Sequence, residues 1–389
     1  MIHRNKYRNI WLFILMIGLG AFVVSCGPKA RQPVGEMDTP AHHTYVGFKL
    51  LDQEKYAEAD REFDLALQLD RKYPRAHAGK GLAKAFQGDF KPAFEAMKLA
   101  KRYAVSKEDK MAAHVGYIRL HTMNRTADKG WLDKVKDEYS WALQIDPQAP
   151  ALYHYTGRAY KEALDFAQAG NMFAKVLELK GDYVGEADRE WNLIQKIQRA
   201  MPGTTAGKKI AILERINRAD AAALFMEELR IDVLYKKRTP KSFDTDFKDP
   251  EKARTAPAAP TAIDIADHPL KVDIEDCLKI GIRGLEIYPD GTFRPGDIVD
   301  RATYAMMIED ILIKVTGDHA LATKFIGTTS PFPDLRSDLP YFNAVMTVTS
   351  RGIMGPLDMT SGEFAPLKPV PGVEALLIIR KMKEELKFF

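Results

Sequence analysis

Few side chains in this 389-residue sequence are spaced for making or breaking bonds. Its nine histidines are scattered, and the one close pair, His42-His43, stands beside a Pro- and Gly-rich stretch with no further metal ligand at useful spacing. There is no Gly-x-x-x-x-Gly-Lys loop to cradle phosphate, no His-Glu-x-x-His to hold zinc, and no Gly-x-Ser-x-Gly to present a nucleophile. The turn at Asp290-Gly291 lacks the spaced carboxylates of a calcium loop. The two cysteines, Cys26 and Cys277, lie far apart. These residues point to a non-enzymatic protein that needs no metal or cofactor, whose function is binding.

Cys26 is distinguished by what precedes it. Arg4, Lys6 and Arg8 lie in the first nine residues without an acid, and an apolar run follows from Ile10 to Val24. That is the layout of a secretory signal. A spanning helix needs about 20 apolar residues to cross roughly 30 Å of hydrocarbon, and this run stops at 15. Val23-Val24-Ser25-Cys26 resembles the lipobox of bacterial lipoproteins: a branched apolar residue at −3, a small one at −1, and cysteine. The resemblance implies that residues 1–25 are removed and that the Cys26 sulfur carries lipid, making a membrane the first partner. Several acyl chains, at about 0.8 kcal/mol per buried CH₂, would hold it durably. Gly27 stands where an aspartate often retains such proteins in an inner membrane, so the resemblance implies an outer membrane location facing the periplasm.

With Cys26 lipidated, Cys277 has no disulfide partner and stability must come from packing. Cleavage removes three positive charges from a formal net charge of +4, leaving a nearly neutral chain that gives no reason to expect nucleic acid as a partner. The remaining length is enough for two or three domains.

Residues 26–39 read as a flexible tether. Over 40–182 the sequence repeats: Gly47, Ala59, Phe63 and Ala66 return 34 residues later as Gly81, Ala93, Met97 and Ala100. Tyr153, Gly157, Tyr160, Ala169 and Phe173 form a later copy, and Gly116, Tyr139 and Ala142 an imperfect one, stretched by about seven residues around Asn124 to Gly130. The pattern resembles the tetratricopeptide repeat, which implies four stacked helical hairpins with a concave groove for an unknown protein partner. Small residues at Gly47 and Ala59 are expected where two helices cross, with Phe63 and Ala66 facing the next repeat. Phe86, Phe90 and Phe94 lie at helical spacing and are expected to be core.

After a Pro/Ala linker at 241–262 a second periodicity appears. Gly281, Gly284, Gly291, Phe293, Pro295 and Val299 return at an offset of 71 as Gly352, Gly355, Gly362, Phe364, Pro366 and Val370. Tyr288 to Tyr304 resembles an S-layer homology repeat: a helix ending in Gly-x-x-Gly, a Gly-x-Phe-x-Pro loop, and a Thr-Arg-Ala-Glu type motif opening a second helix. Ile216 to Asp220 matches the start of that second helix at an offset of 83, so Trp191 to Ala200 takes the role of a first helix. The expected repeats are 183–240 (degenerate, and capping the first array), 263–318 and 330–387 (degenerate). Asp300 is placed to cap a helix from Arg301. The predicted fold is all-α, a hairpin solenoid followed by a pseudo-threefold bundle.

The second resemblance implies grooves that bind acidic cell-wall glycans or peptidoglycan. By it Arg301 is the leading candidate ligand residue, then Arg218, since a planar guanidinium holds a carboxylate by two hydrogen bonds. Gly281, Gly284, Gly352 and Gly355 would let the glycan approach the backbone. Asp290, Gly291 and Arg294 complete the candidate set, with Lys368 as a further cation and Tyr288, Tyr304, Tyr341 and Phe342 as sugar-stacking aromatics. The third repeat departs from the pattern: Pro371-Gly372 replaces the arginine position. Two functions follow. One is a membrane-to-wall tether carrying a protein scaffold; the other is an assembly factor of an envelope or secretion complex that binds only proteins.

Overall fold

A computed structural model describes residues 30–238 and 261–386, which form sixteen α-helices and no β-strand. The chain is all-α, as the periodicity predicts. Cys26, the signal peptide and nearly all of the linker lie outside the described residues. The chain divides into two compact units, Met1–Ala159 and Tyr160–Phe389.

The first unit contains α1 (Pro40–Asp52), α2 (Tyr56–Leu69), α3 (Pro74–Phe86), α4 (Phe90–Tyr103), α5 (Lys107–Met123), α6 (Trp131–Ile145) and most of α7 (Pro150–Glu162). Proline opens α1, α3 and α7, where its missing N–H costs nothing. Consecutive helices pack as the hairpins α1/α2, α3/α4 and α5/α6. Phe63 on α2 is fully buried. Its ring fills the space left by glycine in its own hairpin and in the next: a Cβ on Gly47 would lie 2.6 Å from it, and one on Gly79 closer still. Met97 on α4 does the same between Gly81 and Gly116, at 3.3 and 2.5 Å. Phe63 therefore serves both its own hairpin and the next, beyond the single role expected of it. The insertion forms the turn from Asn124 to Gly130, and α5 and α6 still pack together.

The expected tether needs correction from Arg31 onward. The Arg31 N–H donates to the Gln68 carbonyl at 2.7 Å, which fastens the segment to the end of α2. Both Asp38 carboxylate oxygens accept from the Arg31 guanidinium at 2.6 Å. His43 then lies 2.9 Å from Asp38 and 2.7 Å from Glu62 on α2. Composition read the stretch as free because it does not register ion pairs made across the fold. Burial disfavours a charged His43, yet hydrogen bonds to Glu62 and Asp38 outweigh it and raise the pKa. The Arg31 guanidinium foremost, then the Val34 amide, hold Asp38 well below the usual carboxylate range. Stability from a raised histidine pKa is complete below its unfolded value of about 6.5 and is lost as pH rises through the folded value. Asp38 works oppositely, losing its contribution only as pH falls through its depressed pKa. Amide exchange at Arg31, corrected for intrinsic rate, is thus expected to quicken between pH 6 and pH 9. In His43→Gln the corrected rate should be flat over that range; a pH step that survives would remove His43 from the strap.

The second unit continues with α8 (Phe166–Leu179), α9 (Val184–Ala200), α10 (Thr205–Ala211), α11 (Arg218–Ala223), a π turn (Leu224–Glu228) and α12 (Ile231–Arg238). Beyond the linker come α13 (Lys271–Ile280), α14 (Arg301–Thr316), a 3₁₀ turn (His319–Thr323), α15 (Phe342–Ser350) and α16 (Gly372–Leu386). Helix α8 packs on α9 and α9 on α16, which explains why the division falls ahead of position 182.

The three segments expected as repeats meet around one axis. Helix α11 packs on α13, α14 on α15, and α16 on α9, so each second helix covers the first helix of the next segment. At the centre the Ile216 N–H donates to the Val370 carbonyl at 2.9 Å, Val299 to Ile216 at 3.0 Å, and Val370 to Val299 at 3.0 Å. These are the positions related by 83 and 71, and all three are buried. Asp300 caps α14 by accepting from the Thr303 N–H at 2.7 Å. Asn217 caps α11 in a reciprocal pair with Asp220. First helices end on left-handed residues, Met201 after α9 and Gly281 after α13.

Candidate functional site

The two arginines proposed as glycan ligands are clamps between neighbouring segments. Arg301 is 1 % exposed. Its Nε donates to the Phe364 carbonyl at 2.8 Å, one terminal nitrogen to Gly355 at 2.6 Å, and the other pairs with Glu374. Arg218 donates to the carbonyls of Phe293 at 2.9 Å, Gly284 at 2.5 Å and Glu286 at 2.8 Å. Their guanidinium groups lie over Phe364 at 4.6 Å and Phe293 at 4.7 Å. Two carbonyls of each set, Phe293 and Gly284 against Phe364 and Gly355, again differ by 71. Burial lowers the Arg218 pKa, but a guanidinium stays charged, so each fork remains a donor to the carbonyls around it. Arg301 and Arg218 are therefore corrected from ligand residues to structural ones.

The remaining candidates separate by position. Gly284 and Gly355 supply carbonyls to the clamps, not a surface for ligand. Gly281 and Gly352 are left-handed helix ends whose carbonyls accept from Lys314 at 2.5 Å and Lys381 at 2.6 Å. Asp290 and Arg294 face solvent but pair with each other at 2.7 Å across the Gly291 turn, with Arg294 4.1 Å over the Tyr288 ring. Lys368 is exposed, and Tyr341 partly so. Tyr304 and Phe342 are buried and corrected as stacking aromatics; Tyr304 stacks on Phe225 at 5.6 Å instead.

Sequence reasoning passed over two aspartates that shape these loops. The Asp264 carboxylate accepts the N–H groups of Phe293 and Arg294, both at 2.7 Å, and Asp334 those of Phe364 and Ala365 at 2.9 and 2.7 Å. Each pins a non-glycine residue in the left-handed region, Arg294 at φ 55° and Ala365 at φ 56°. Their signal was present: each aspartate stands 29 or 30 residues before its phenylalanine.

The third junction explains the missing arginine. A Cβ on Gly372 would collide with the Ile210 carbonyl oxygen, and the Gly372 N–H donates to Leu213 at 2.9 Å. Helix α16 starts directly against segment one, with no room for a side chain. The same junction holds a cavity of about 290 Å³ bounded by Ala200, Met201, Glu228, Leu376, Arg380 and Lys383. Glu228 is buried there. Burial opposes its charge, but the Thr204 and Gly203 amides, the Thr204 hydroxyl and Lys383 together bring its pKa down.

The first unit offers a different surface. Phe86, Phe90 and Phe94 do not share a helix, because Gly88 at φ 87° breaks the chain between α3 and α4. Phe90 and Phe94 pack against the core as expected, but Phe86 is 38 % exposed, which corrects that expectation. It stacks on Tyr56 with ring centroids 4.7 Å apart. The Arg119 guanidinium on α5 lies 6.0 Å from the Phe86 ring and 4.5 Å from that of Tyr155 on α7. Nearby hairpins are locked by Glu138, buried between Lys101 at 3.2 Å and His114 at 2.5 Å.

Among the described residues no group of three or more His, Cys, Asp or Glu side chains is placed to hold a metal, and no helix is long and apolar enough to cross a membrane. No family model matches the chain, and no curated protein sequence matches it.

Proposed function

We propose that this protein is a non-enzymatic lipoprotein of the bacterial cell envelope, held by acyl chains on Cys26 and serving as a scaffold for a protein partner. The outer membrane, periplasmic side, is the location that Gly27 after the lipobox favours. The reading rests on resemblance of the hairpins to tetratricopeptide repeats and of the C-terminal ring to S-layer homology repeats. The observation that carries it is the aromatic and cationic surface made by exposed Phe86 with half-buried Arg119 and Tyr155, set on three helices of successive hairpins. Arginine and tyrosine are the residue types that dominate protein interfaces. In the ring, by contrast, Arg218, Arg301 and Arg294 are engaged within the fold.

Wall binding is the second reading, and one observation favours it: the cavity at the third junction brings Arg380 and Lys383 to its rim, where they pair with Glu384 and Glu228. One experiment addresses both. A photo-cross-linking residue placed at Phe86 in living cells is expected to give one discrete adduct, and Cys26→Ser should release the protein from membranes. Purified wall sacculi serve as the second arm, with Arg380→Ala combined with Lys383→Ala. Loss of sedimentation in that double variant supports the wall reading; sedimentation of neither form ends it. Absence of any adduct from Phe86 would overturn the scaffold.

A further inference from the structure

Consecutive helices from α1 to α6 pack together across short turns and therefore alternate in direction. The turns after α2 and α4 share one edge of the first unit with the start of α1, and the turns after α1, α3 and α5 share the other. Among the described residues of this unit, the three most exposed large apolar side chains are Val34 at 87 %, Val105 at 83 % and Met37 at 65 %. Val105 lies in the turn after α4, and Val34 and Met37 lie in the strap that Arg31 fastens to the end of α2, so all three belong to the first edge. The other edge shows Phe86 alone, at 38 %. Charges along the first edge nearly cancel: Arg75 pairs with Asp109 and Lys107 with Asp146, and Arg71 and Lys72 share the turn after α2 with Asp70.

We infer that this edge of the first unit docks on the lipid bilayer, with Val34, Met37 and Val105 entering the boundary between headgroups and acyl chains. The inference deepens the proposed anchoring and rests on an acylated Cys26. The covalent chain decides which edge can meet the membrane. Cys26 stands five residues before Arg31, and five extended residues reach at most about 18 Å. Arg31 is itself bonded to the end of α2 through the Gln68 carbonyl. Helix α2 has 14 residues, a length of about 21 Å at 1.5 Å per residue. With the other edge against the bilayer, Arg31 would stand beyond the reach of a cysteine held at the lipid surface. Apolar side chains gain by leaving water for that boundary and need no shaped partner to receive them. The balance of charge means that neutral and anionic headgroups should serve equally well. Phe86, on the opposite edge, then faces away from the bilayer, where a partner protein can approach it.

The test uses the full mature chain, purified as made by the cell and reconstituted into vesicles of phosphatidylcholine or of phosphatidylethanolamine with phosphatidylglycerol. Flotation with the vesicles is measured first. Cys277 is buried and Cys26 carries lipid, so Val105→Cys or Lys129→Cys adds the one reactive thiol, Lys129 lying in the turn after α5 on the opposite edge. The reagent is a maleimide on a water-soluble polymer, and the reference is the same variant with Cys26→Ser, free in solution. On both kinds of vesicle the thiol at 105 is expected to react about tenfold more slowly than its reference, equivalent to about 1.4 kcal/mol of docking, and the thiol at 129 at an unchanged rate. Val34→Ser combined with Met37→Ser, both at exposed positions, should erase the protection at 105. Equal rates at 105 with and without vesicles, equal protection at both positions, or protection that needs phosphatidylglycerol each overturns the inference. So does protection at 105 that appears in concentrated Cys26→Ser protein without vesicles, which would make a second copy of the chain the occupant. Flotation without protection sinks the docking and leaves the anchor; no flotation sinks the anchor as well.

Discussion

Arg301→Ala is expected to cost the C-terminal unit about 3–5 kcal/mol, the range for breaking a buried ion pair by removing one partner. The substitution would remove a side chain only 1 % exposed and leave the Phe364 and Gly355 carbonyls and the Glu374 carboxylate without their donor. At roughly 2–4 °C per kcal/mol for a unit of this size, the melting temperature should fall by roughly 6–20 °C. A ligand-binding arginine on a surface would behave otherwise, since such substitutions change stability by about 0.5 kcal/mol or less. A thermal melt therefore separates the two roles without any glycan in the tube. An unchanged melt joined to lost sacculus binding would restore Arg301 as a ligand residue.

The second large effect concerns the hairpin array. Phe63→Ala should destabilise it by about 3–5 kcal/mol, the value for a buried phenylalanine whose site does not collapse. Collapse is hard here because two of the walls are glycines, Gly47 and Gly79, with no side chains to move into the space. The complementary change, Gly79→Val, forces two side chains into one volume and should cost about 1–3 kcal/mol. Urea unfolding of the full chain measures both. A loss below about 1 kcal/mol for Phe63→Ala would mean that the ring is not what joins the first two hairpins.

Comparing the two arginines with the residues around the axis shows what a linear sequence can carry. Val299 and Val370 could be matched because an axial position accepts only a narrow class of side chains, and Ile216 belongs to the same class. The offset survived even where segment one had lost its loop. Arg301 was found by the same means, yet its role was misread. Two of the three groups that hold it are main-chain carbonyls, of Gly355 and Phe364, and a carbonyl leaves no mark on residue type. Gly372 looked like a degenerate arginine position until its approach to the Ile210 backbone made glycine the only residue that fits. The phenylalanine series failed for another reason: a spacing of four carries meaning only inside one helix, and Gly88 ends that helix between Phe86 and Phe90. Arg119 was not found at all, because its neighbours Phe86 and Tyr155 come from different hairpins and no spacing links them.

The central triangle of hydrogen bonds leaves the ring with no free valence. Ile216, Val299 and Val370 each donate once and accept once within the set, so no open edge is offered to another chain. A chain cut before Val370, and so lacking α16 as well, would lose that closure. It would bare the Ile216 donor and the Val299 acceptor side by side, a template matched by the Val370 segment of an intact copy. Exchange of α16 between molecules is the assembly route that such a truncation opens, and that the closed ring denies to the whole protein.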